Sequence, residues 1–144
     1  KRQVQRFFEF RAGLEASAAE LAARNWQAAD RVRIEQAIAA LEQCLERNDL
    51  GAEEDFALHE AIAKASHNQF HITVRIWFKP HFAIGQSVTR SLSLKRTPQH
   101  VREVQNEHTA IVEAIFARRE QAAHDAMKDH ILKARARMFQ GVGS

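Results

Sequence analysis

Apolar residues along this chain recur at helical spacing from one end to the other, and no alternation long enough for a strand interrupts them. Val4 to Arg24 carries Phe7, Leu14, Ala18 and Leu21 on one side, with Phe10 or Arg11 sharing the stripe. Gln27 to Arg47 does the same with Val32, Ile34, Ile38, Leu41 and Leu45, until Arg47–Gly51 ("RNDLG") breaks the pattern. A third helix is predicted over Ala52 to Ser66, and a fourth from Gln69 to Leu92 through Ile72, Ile76, Phe78, Phe82, Ile84 and Val88. Pro80 lies inside the fourth, where a missing N–H and a clash with the preceding turn must kink or divide it. Thr97 and Pro98 then read as N-cap and first helical residue of a fifth helix reaching Phe116, and a sixth follows from Glu120 to Phe139. Short connections favour antiparallel neighbours, so the pattern predicts an all-α antiparallel bundle of about six helices.

Three of these stripes are interrupted by polar groups. In the third helix Asp55 and His59 fall among Phe56, Leu58, Ile62 and Ala63, four residues apart and therefore on one face. In the fifth, His108 sits at the centre of the stripe made by Val101, Val104, Ile111, Val112 and Ile115. In the sixth, Ala123, Met127 and Ala134 flank His130. Burying a carboxylate is costly unless it is paired or bound to metal, and a divalent cation shared by one Asp and three neutral imidazoles would satisfy all four placements together. Oxygen and nitrogen donors suit zinc, and also nickel, manganese or iron. The same residues also admit a plainer arrangement, with each histidine hydrogen-bonded to its own neighbour and Asp55–His59 a local ion pair. His67, His71, His81, His100 and His124 lie off the stripe centres and are expected at the surface or in structural roles.

Composition narrows the setting. The 144 residues are 45% hydrophobic and 27% charged with only two prolines, which suits one globular helical domain over residues 1–144. The formal net charge of +3 comes from interleaved acids and bases, so nucleic-acid contact is permitted by this chain but not argued for. No apolar run approaches the roughly 18 residues of a membrane span, and the single Cys44 cannot form an internal disulfide, so a cytoplasmic setting is expected. The chain enters a helical pattern at once without an initiator Met, as expected of a fragment that has lost an upstream domain.

Enzyme motifs do not complete. "HEAIA" at His59 begins like the zinc-protease H-E-x-x-H, but Ala63 stands at the second ligand position. No Glu-x-x-His pair of a di-iron bundle occurs, no glycine-rich phosphate loop is present, and Cys44 has no base beside it in sequence. The chain reads as a non-enzyme, with a metal-dependent enzyme acting on a small carboxylate, or a purely structural dimerisation bundle, as the alternatives.

Taken in order, Asp55 and His59 followed by "AIAKASHN", then "NEHTAIVEAI" with His108, then "AMKDHI" with His130, resemble the C-terminal effector-binding (FCD) domain of FadR-branch GntR-type bacterial transcription regulators. The likeness runs from "FFEFRAGLEASAAELAA" to "HILKARARM", with ligand spacings of 4, 49 and 22 residues, and departs at Leu58, where the family usually carries Phe. The resemblance implies one divalent metal, zinc first, on Asp55, His59, His108 and His130, at the base of a pocket for a small organic-acid effector. It implies effector contacts from Arg11, whose guanidinium matches a carboxylate but which could equally lie at the surface or pair with Glu15 one turn on, and from Asn68, which is equally placed to cap the fourth helix. It also implies a homodimer, with Leu132 and Phe139 or the Trp77–Phe78 region as candidate faces, and contact with operator DNA only through a separate N-terminal winged helix-turn-helix.

Overall fold

The computed structural model describes residues 2–49, 51–81 and 97–143, with side chains through residue 139. Six α-helices make up these residues: α1 (Arg2–Asn25), α2 (Ala28–Glu46), α3 (Ala52–Ala65), α4 (Gln69–Trp77), α5 (Pro98–Phe116) and α6 (Glu120–Gly143). No strand occurs among them.

Local chemistry sets the helix ends. Thr97 Oγ1 accepts from the backbone N–H of His100 at 3.2 Å with Pro98 in the first turn, as the sequence predicts. Asn68 Oδ1 accepts from the N–H groups of Phe70 and His71 and opens α4. Gly51 precedes α3 with φ 68°, a left-handed conformation that costs glycine little. The fourth helix is shorter than its apolar pattern implies. It ends at Trp77 with a turn at Phe78, and residues 79–81 are helical again, so the chain is divided just ahead of Pro80. Phe82, Ile84 and Val88 of the expected stripe lie outside the described residues.

α1 lies along α6, and its C-terminal Arg24 pairs with Glu120 at the start of that helix, so the two run antiparallel. α2 and α3 form a hairpin closed by Asp30, which accepts from His67 just beyond α3 at 2.6 Å. α5 and α6 form another, tied by Glu107 to both His130 and Arg137. Phe8, Ile34, Leu41, Leu58, Ile62, Ile111, Ile115, Met127 and Ile131 fill the space between them and are essentially inaccessible to solvent. Burying a side chain of this size contributes about 1.5–3 kcal/mol each. No helix among the described residues is long and apolar enough to cross a membrane.

Candidate metal centre

Within this apolar core, Asp55 and His59 from α3 meet His108 from α5 and His130 from α6. All four are buried, and one donor atom from each lies within 4.8 Å of every other. The three imidazole centroids are 4.5 to 5.8 Å apart. His108 Nε2 is 3.2 Å from His130 Nε2 and 3.1 Å from Asp55 Oδ1, while His59 Nε2 is 3.6 Å from the same oxygen. Donors bound tetrahedrally at zinc-like bond lengths stand about 3.3 Å apart.

The outer face of each ring fixes which nitrogen points inward. His59 Nδ1 donates to Glu15 Oε1 at 2.7 Å, His130 Nδ1 to Glu107 Oε1 at 2.7 Å, and His108 Nδ1 to Gln105 Oε1 at 2.8 Å. The Gln105 amide is itself oriented, because its Nε2 donates to Glu42 Oε2 at 2.7 Å. All three acceptors are oxygens that only accept, so the proton of each neutral imidazole sits on Nδ1 and each Nε2 lone pair faces the centre. Two such lone pairs 3.2 Å apart repel, and His59 Nε2 has no hydrogen-bond partner although it is buried. Neighbour-by-neighbour satisfaction therefore holds on the outer side of the rings, while on the inner side two ring nitrogens face each other and His59 Nε2 is left without a hydrogen bond. A cation at the centre resolves both faults, and the cluster can hold a metal.

Electrostatics agree with a site built for positive charge. Burial would raise the Glu15 carboxyl, but Arg11, His59 and Arg75 around it hold it well below the usual carboxylate range. Burial would also raise Glu107, yet His130 and Arg137 bring it down to about 2. Burial works to lower His59, but the Glu15 and Asp55 carboxylates prevail and raise it, so a proton on His59 competes with a metal for this place. Burial and the neighbouring His108 push His130 down to about 4.

The remaining predicted residues are placed as follows. Arg11 is buried, not at the surface, and its Nε donates to Glu15 Oε2, which puts it one residue behind His59. Asn68 spends its side-chain oxygen on the α4 cap. Burial and Glu54 raise the Cys44 thiol, opposite to what a nucleophile needs. Leu132 packs against the core, whereas Trp77 is 78% exposed. Sequence reasoning saw Glu15 only as a possible partner of Arg11, which it is, and missed its bond to His59; it missed Gln105, Glu107, Arg75 and Arg137 altogether. The adjacency of Glu107 to His108, and the four-residue step from Arg11 to Glu15, were the available signals.

A narrow cleft, with room for about one water molecule, reaches the cluster at His59. Glu15, His59, His71 and Arg75 form its polar side, and Leu14, Ala18, Ile62, Ala63 and Met127 its apolar side. Arg75 is buried, donates from Nη1 to Glu15 Oε1 at 3.1 Å and lies 4.8 Å over the Phe56 ring. His71 Nε2 is 3.1 Å from the hydroxyl of Ser17.

Comparison with known proteins places the chain. The FCD domain profile matches residues 6–133. The HTH-type transcriptional regulator LutR of Bacillus subtilis (strain 168) is 30% identical over 131 residues, which are 91% of this chain and 60% of LutR. The chain thus spans about 60% of the length of that curated relative. Among solved structures, E. coli McbR/YncC superposes with a TM-score of 0.82 at 18% identity, over 97% of this chain and 69% of that one. Streptococcus agalactiae GntR superposes with a TM-score of 0.73 at 24% identity, over 94% and 58%. Both likenesses establish the helical fold, and the profile match, which takes in all four inward-facing donors, establishes the family: this chain belongs to the FCD domain family.

Proposed function

We propose that the chain is the ligand-sensing part of a GntR-type transcription regulator, and that it binds a small organic acid through a divalent metal held by Asp55, His59, His108 and His130. The observation that carries this reading is the division of each histidine into an outer Nδ1 tied to an acceptor oxygen and an inner Nε2 aimed at a common centre. Three imidazole nitrogens and one carboxylate oxygen suit zinc first, with nickel, manganese or iron compatible with the same set. When bound, the metal supplies a Lewis-acidic positive charge for a ligand carboxylate oxygen.

The protein's own residues do the rest. Glu15, Gln105 and Glu107 hold the three rings in one tautomer and orientation. Arg11 and Arg75 hold Glu15 in turn; Arg75 lines the cleft at the cluster, and Arg11 lies behind it on the far oxygen of Glu15. Arg11 thereby enters through Glu15, and Asn68 through its cap on the helix that carries Arg75. LutR is an HTH-type regulator longer than the matched region. By analogy, acid binding here selects one arrangement of the helices in a homodimer and so alters operator binding by a separate DNA-reading part. The shift is limited to the ligand's difference in affinity for the two arrangements. The exposed Trp77 and its neighbour Phe78 are the proposed dimer face, with Phe139 on α6 as the other candidate.

The test is a thermal-shift panel of small organic acids on metal-loaded protein. An acid that raises the melting temperature in the presence of metal, and is recovered unchanged, supports a sensor. Conversion of an acid supports the enzyme alternative. A protein that takes up no metal and is stabilised by no acid is a structural bundle.

A further inference from the structure

Two of the three imidazoles in the cluster rest on carboxylates, and the third meets an amide. Glu15 takes the Nδ1 proton of His59 and Glu107 that of His130, and an ionised carboxylate offers an acceptor whichever way it turns. His108 Nδ1 instead lies 2.8 Å from the side-chain amide of Gln105. An amide has two different ends. With its oxygen inward it accepts from Nδ1; turned over, its NH2 would donate to Nδ1 and drive the ring proton to Nε2. That rival tautomer has a partner at hand, because Asp55 Oδ1 lies 3.1 Å from His108 Nε2. A His108 protonated there closes the centre with an internal hydrogen bond and offers a cation no lone pair.

Glu42 decides between the two. It stands on α2, a helix that contributes none of the four donors, and its Oε2 accepts from Gln105 Nε2 at 2.7 Å. An ionised carboxylate can only accept, so the NH2 faces Glu42 and the amide oxygen faces His108. Turned over, the buried amide would set its own oxygen against the carboxylate, and two acceptors would face each other without a proton. The carboxylate is itself held, since Arg102, one turn before Gln105 on α5, donates to its other oxygen at 3.1 Å. The bond from Gln105 outweighs burial and, with Arg102, keeps the Glu42 carboxyl below its ordinary value. We propose that Glu42 is a positioning residue of the metal centre: through Gln105 it keeps the His108 proton on Nδ1 and the Nε2 lone pair turned to the cation, so that α2 tunes the metal affinity of a site to which it gives no ligand. This inference rests on the metal-binding reading given above.

The tautomer is read by nitrogen NMR of isotope-labelled histidine side chains in metal-free protein, and zinc affinity by competition with a chromophoric chelator. In the wild type the His108 proton should sit on Nδ1. Glu42→Leu should move it towards Nε2 and weaken zinc binding about tenfold, the lower end of what disturbing a ligand's outer partner costs. Adding Gln105→Glu to Glu42→Leu should restore both, because a carboxylate beside His108 needs no orienting. A Glu42 that only ties α2 to α5 predicts no such rescue, since the bond between the helices stays lost. A wild-type His108 protonated on Nε2, an unchanged zinc affinity in Glu42→Leu, or a loss that Gln105→Glu does not repair overturns the inference and leaves the metal reading standing. Wild-type protein that takes up no zinc overturns both.

Discussion

His130 and His59 occupy one cluster yet are driven in opposite directions, because His59 lies between two carboxylates and His130 lies against another imidazole. This sets the pH dependence of the metal-free protein. His130 moves from an ordinary value of 6.5 to about 4 on folding, so below pH 6.5 the unfolded chain binds a proton that the folded one refuses. Its contribution to stability is complete above pH 6.5 and is lost as pH falls towards 4. Glu107, lowered from 4.5 to about 2, takes over the loss at still lower pH. The raised His59 acts on the other side: its contribution is full below 6.5 and is lost as pH rises through its folded value. Urea unfolding of metal-free protein should therefore show stability falling between pH 6.5 and 4, and His130→Gln should flatten that limb. An unchanged slope in the variant would assign the loss to another group.

The elements were legible where a chemical signal marks their ends and illegible where only periodicity does. Thr97–Pro98 announced the start of α5 correctly, because a cap and an N1 proline act locally. The end of α4 was announced only by Pro80, near which the helix does divide, while Ile72, Ile76 and Phe78 keep helical spacing across the break. The same helix inverts the usual rule of burial. Arg75 is 5% exposed while Ile76 is 65% exposed, so the side of α4 that enters the molecule is the charged one. Hydrophobic pattern cannot show this, because the partner of Arg75 is Glu15, sixty positions earlier in the chain. If the Asn68 cap is what sets α4 in place, Asn68→Ala should cost about 1 kcal/mol of stability. Thermal unfolding would register this as a drop of a few degrees. A loss too small to detect would show that α4 is held by its packing alone.

On the scale of the molecule, the four donors tie α3 to α5 and α6, and Glu15 ties α1 to the same point through His59. These donors were legible because each is a polar residue at the centre of an apolar stripe, which is expensive unless the residues meet. Their supporting shell was not. Glu107 sits beside His108 in sequence but serves His130, and only the α5–α6 hairpin brings them together. Gln105 looks like an ordinary surface amide until Glu42 on α2 turns it. Family membership carries the expectation of a metal, and the tautomers fixed by this shell give it a physical basis. Elemental analysis of protein purified without chelator tests it most directly. About one transition-metal ion per chain is expected, with the paired change His108→Ala and His130→Ala reducing it to background while the helical circular-dichroism spectrum persists. Metal-free wild-type protein that stays so after incubation with zinc, or metal retained by the paired variant, would contradict the account.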